Sequence, residues 1–97
     1  MGKIVMVRSP EAGVFFGELV SRDDATRMVT LLHARRCWYW EGAASLSQLA
    51  TEGTRRPDKC KFLIATEGEH VILGVCEIIN VTNRALNSLV SVPVWSA

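Results

Sequence analysis

The sequence predicts an α+β domain: a twisted antiparallel sheet or small open barrel of about five strands with two short helices. Residues 3–40 alternate Ile, Val, Leu and Phe with polar residues at a period of two, broken by turn residues. Two later stretches instead place apolar residues at helical spacing behind capping residues. The connections between these stretches are short, which favours antiparallel neighbours. At 97 residues the chain has the size of a single domain, residues 1–97.

Residues 3–8, rich in Ile and Val, read as the first strand. Ser9-Pro10-Glu11-Ala12-Gly13 is a turn by composition. Residues 14–21 form a second strand, with Phe16, Glu18 and Val20 on one face and Phe15, Gly17 and Leu19 on the other. A glycine inside a strand marks a bulge or a close backbone approach, and Gly17 is in that position. Arg22-Asp23-Asp24-Ala25 reads as a hairpin loop. Residues 27–40 are a long third strand, bent near His33. Regular alternation along it separates Arg35 from Arg36 and sets Arg36 beside Trp38 and Trp40.

Ser45 is a natural N-cap, and Gln48 three residues on completes a capping box. Leu46, Leu49 and Ala50 are the apolar face of the helix that follows, and Gly53 stops it. Residues 54–59 are a basic loop. Residues 60–66 and 70–81 read as two further strands joined around Glu67-Gly68-Glu69. Asn83 is placed to cap a second helix through Val90, with Leu86, Leu89 and Val90 at helical spacing, ended by Pro93. Trp95 is large enough to dock the tail on a neighbour.

Composition narrows the function. The net charge is +1, from 11 basic and 10 acidic residues, so general nucleic-acid binding is not expected. The odd number of cysteines, Cys37, Cys60 and Cys76, at wide spacings argues for reduced thiols in a cytoplasm and against a disulfide framework. No apolar run approaches the ~20 residues of a membrane span. Apolar residues and glycine together exceed the usual ~45–50%; burial between subunits and ordinary scatter both explain that.

Ala34-Arg35-Arg36-Cys37-Trp38-Tyr39-Trp40 concentrates function-bearing chemistry. It holds two of the three tryptophans, the only tyrosine and two arginines. Arginine forks onto phosphate or carboxylate, and flat rings stack on bases. Trp, Tyr and Arg are equally the residues of protein-interface hot spots, and core packing for Trp38 and Trp40 is the plain structural alternative. Candidate ligand-binding residues are Arg35, Arg36, Trp38, Tyr39 and Trp40. Ser45 at a helix start adds donors for an anion, and Arg55 or Arg56 of the basic loop can close the site. No catalytic set stands out. His33 and Cys37 lack a third partner, and Glu67, Glu69 and His70 read as a solvated hairpin tip. No paired spacing of metal ligands and no Gly-rich phosphate loop occurs, and no cofactor is implied.

Ala12-Gly13-Val14-Phe15-Phe16-Gly17-Glu18-Leu19, the Arg-Arg-Cys-Trp-Tyr-Trp core with Glu41-Gly42-Ala43, and Val92-Pro93-Val94-Trp95 resemble a family of small phage and prophage proteins. In size, near-neutral charge and Arg/aromatic content the chain is similar to phage sponges, homo-oligomers that sequester cyclic nucleotide or cyclic ADP-ribose signals of bacterial immunity. The resemblance implies a non-enzymatic phage accessory protein in the infected cell's cytoplasm, with a small nucleotide-derived ligand and a homo-oligomeric state. The alternative is a module that binds a host or virion protein through the same segment.

Overall fold

A computed structural model describes residues 3–96. It contains β1 (Ile4–Ser9), β2 (Gly13–Asp23), β3 (Met28–Tyr39), α1 (Leu46–Glu52), β4 (Lys61–Phe62), β5 (Glu69–Ile72), β6 (Glu77–Asn80) and α2 (Asn83–Val90), with one 3-10 turn at Pro57–Lys59. The strands pair antiparallel in the order β4-β3-β2-β1-β6, and β5 also pairs with β3. This is a small α+β fold with an open sheet of six strands and two helices.

Residues 60–66 and 70–81 do not pair as a hairpin. β4 lies against the end of β3, Cys37 facing Phe62, and β5 against its beginning, Leu31 facing His70. Residues 70–81 also break into two strands, because Gly74 turns the chain with φ +69°. β5 and β6 therefore flank opposite sides of the β3-β2-β1 ribbon. Laid flat, four strand spacings of ~4.8 Å would separate them. Five chain steps containing a turn do not reach that far at ~3.5 Å each, so the sheet is strongly curled. The link donates from Val75 N to the Arg27 carbonyl and from Cys76 N to the Arg8 carbonyl, 3.0 and 2.9 Å.

Curling gives the sheet two buried faces. Val5, Val7, Phe15, Val29, Leu31, Ala34, Ile72 and Val75 fill the concave side. Met6, Phe16, Cys37 and Phe62 on the convex side pack under Leu49, Ala50 and Leu89 of the helices. Adjacent residues such as Val5-Met6 and Phe15-Phe16 are thus both buried. Two cores in one short chain take up part of its apolar content.

α1 starts as expected: Ser45 Oγ accepts from Gln48 N at 3.1 Å, and Gln48 Oε1 accepts from Ala44 N at 2.7 Å. Gly53 ends it with φ +79°. For α2 the cap is Thr82, not Asn83; its hydroxyl accepts from Ala85 N.

Two irregularities in β3 overturn the regular alternation. Opposite Gly17 the strand carries an extra residue, with His33 at φ +53°. A second register shift between Cys37 and Tyr39 adds another residue opposite β4. Each bulge exchanges the faces of the residues that follow.

Candidate functional site

The second bulge parts the residues that alternation would have grouped. Trp38 is 65% exposed, whereas Trp40 is half-buried and packs against the convex core. Arg36 does not join a tryptophan pair. It lies over the Phe15 ring, 4.5 Å from ring centre to guanidinium, and its Nη1 donates to the Ala12 carbonyl at 2.7 Å.

Arg35 turns into the fold. Its Nε donates to the Leu63 carbonyl at 2.9 Å and its Nη2 to the Phe62 carbonyl at 3.2 Å. Its Nη1 faces the Val92 and Leu89 carbonyls at 3.1 and 3.5 Å. One guanidinium thereby fastens β4 to the end of α2, where a cation also meets the negative pole of the helix. Burial lowers the Arg35 pKa, partly offset by the Cys37 thiol. Neither arginine expected to hold phosphate faces the aromatic wall, because both are engaged with carbonyls of the chain itself.

The exposed chemistry gathers instead at the end of β3. Tyr39 pairs with Lys61 across the β3–β4 ladder. The Lys61 ammonium stands 5.9 Å from the Tyr39 ring centre and 5.3 Å from that of Trp95, within cation–π range. The tail reaches this place because Val94 bridges Phe62 and Trp95 N donates to the Phe62 carbonyl at 2.9 Å. Trp95 thus docks as its size suggested. Its contribution to the surface went unread in the sequence, since only the pairing of β4 brings it to Tyr39.

Tyr39 Oη donates to Glu41 at 2.8 Å, and this bond raises its pKa above the ordinary phenol value. Arg56 stands 3.7 Å from the other Glu41 oxygen. The Thr54 hydroxyl donates to the Glu41 carbonyl, and Arg55 N donates to the Gly42 carbonyl at 3.4 Å. These bonds clamp the basic loop beside the strand end, with Arg55, Arg56, Lys59 and Lys61 exposed. Ser45 is exposed, but its hydroxyl is engaged in capping α1.

His33 is exposed and Cys37 is buried, so they form no dyad. Burial raises the Cys37 thiol far above its ordinary pKa. Ellman's reagent is expected to titrate Cys76 rapidly in the native protein, and Cys37 and Cys60 only after unfolding, as their burial requires. Among the described residues no cluster of three or more His, Cys, Asp or Glu is placed to hold a metal ion. Among the described residues no helix is long and apolar enough to cross a membrane.

No curated protein and no solved structure matches the chain. Residues 2–89 match a family described as a domain of unknown function, DUF6948. They take in all of β1–β6 and every buried core residue but Val92, and the chain belongs to the DUF6948 family.

Proposed function

We propose that the domain is a non-enzymatic recognition module that engages a protein partner through Trp38, Tyr39, Lys61 and Trp95. The observation that carries this reading is the opposite fate of the arginines and the rings. Arg35 and Arg36 are turned to internal carbonyls. Trp38, Tyr39 and Trp95 remain 65%, 45% and 39% exposed, with Val94 also exposed beside them. Exposed Trp and Tyr with a neighbouring cation and a polar rim is the composition of an interface hot spot. The sequence resemblance adds the setting: a phage accessory protein acting on a host or virion protein in the bacterial cytoplasm. Free cysteines suit that compartment.

One observation favours the second reading, sequestration of a nucleotide-derived signal by a homo-oligomer. Lys61 is exposed against Tyr39 and Trp95, Arg56 is tied to Tyr39 through Glu41, and Arg55 and Lys59 are exposed on the same basic loop, giving cations beside rings on which a base can stack.

Affinity capture with wild type, Trp38→Ala and Lys61→Glu tests the first reading. A specific partner is expected on wild type, with roughly 10-fold or greater weakening in each variant and unchanged urea midpoints. Native mass spectrometry after incubation with cyclic nucleotides and cyclic ADP-ribose isomers tests the second. Retention of an intact nucleotide by an oligomer, with no protein partner captured, would overturn the interface reading.

A further inference from the structure

An apolar cleft of about 320 Å³ lies between α2 and the bulged strands. Ile4, Phe16, Leu86 and Val90 supply hydrocarbon wall, and Arg35 lines it as well. The volume is at the lower end of the ~300–1,000 Å³ of small-molecule pockets. The cleft is separate from the exposed aromatic surface: none of Trp38, Tyr39, Lys61 and Trp95 lines it.

Arg35 is the group that gives the cleft a chemistry. It is only 9% exposed. A guanidinium carries five N–H donors. Four carbonyls are placed to accept from it, those of Phe62, Leu63, Leu89 and Val92, and one Nη2 hydrogen is left over. All four acceptors are neutral. Among the described residues the ion pairs are Arg8–Glu77, Arg22–Asp24 and Arg56–Glu41, so Arg35 makes no direct ion pair with a carboxylate. A buried cation in hydrocarbon surroundings favours an anion that brings its own apolar body.

We infer that this cleft binds a small apolar monocarboxylate. Its carboxylate would accept from Arg35 Nη2, and its hydrocarbon would lie on Phe16, Leu86 and Val90. Glu18 and His33 are the other polar residues of the lining.

Isothermal titration of the full chain with octanoate and 1-octanol tests this site. Octanoate is expected to bind saturably at one per chain. Octanol, which keeps the tail and lacks the charge, is expected to bind roughly 10-fold more weakly or worse. Arg35 variants risk unfolding the protein, so the site is tested by Val90→Trp, which fills the cleft from an exposed position. This variant is expected to keep its urea midpoint and lose octanoate binding. Absence of saturable octanoate binding, equal affinity for octanol, or unchanged octanoate binding by folded Val90→Trp would each overturn the inference.

Discussion

Arg35→Ala is expected to lower the unfolding free energy by about 3–5 kcal/mol, as the loss of several charge-assisted bonds to part-buried or buried carbonyls implies. The Phe62, Leu63, Leu89 and Val92 carbonyls would lose their shared donor. Water reaches them poorly, because Arg35, Phe62, Leu89 and Val92 are all buried. The cost is a large part of the ~5–15 kcal/mol by which such domains are stable. Arg35→Lys should rescue little, since an ammonium on a flexible stem does not span β4 and the α2 end with a planar fork. Urea denaturation followed by circular dichroism measures both variants. A loss below about 1 kcal/mol for Arg35→Ala would show that solvent replaces the guanidinium, because the net worth of an ordinary hydrogen bond is of that size.

Gly17→Ala is the second large effect, expected at about 2–3 kcal/mol as overpacking against rigid neighbours. A Cβ at position 17 would sit 2.9 Å from the Leu32 carbonyl oxygen and 3.1 Å from Ala34 Cα. Both are backbone of β3, and neither can yield without displacing the bulge at His33. Gly68→Ala makes a useful comparison. Nothing lies within 4 Å of its added Cβ, but its φ is +71°, so only the left-handed backbone penalty of ~1–2 kcal/mol applies. Equal losses in the two variants would mean that the close strand approach at Gly17 relaxes freely.

Much of the fold was legible because its signals are local. Ser45 and Gln48 bracket α1 by side-chain bonds to nearby backbone, and Gly53 ends it. Gly17 announced a close approach, and the strand was expected to bend at His33. The consequence of that bend was not legible. A bulge adds one residue and exchanges faces, so Arg35 and Arg36 take the faces opposite to those that counting in twos from Val29 assigns them. The second shift, near Trp38, has no glycine to signal it. The division of residues 70–81 was hidden for a different reason. Val71, Ile72 and Val75 read as one apolar run, yet Gly74 turns the chain there so that β5 and β6 serve opposite sides of the curl. The internal role of Arg35, expected to bind ligand, was not legible because its four acceptors come from residues 62–63 and 89–92, positions that only tertiary packing brings together.

The pairing of β1 with β6 joins Val5 to Asn80, 75 positions apart in the sequence. On the ribosome, β1 can pair with β2 early, while its other edge waits for a strand made near the end. At a synthesis rate of ~5–20 residues per second that edge stays open for seconds. An unpaired apolar strand edge is a template for association with other chains. The period of greatest hazard for this protein is therefore its own translation, and slower growth at lower temperature, which weakens that association, should raise its soluble yield.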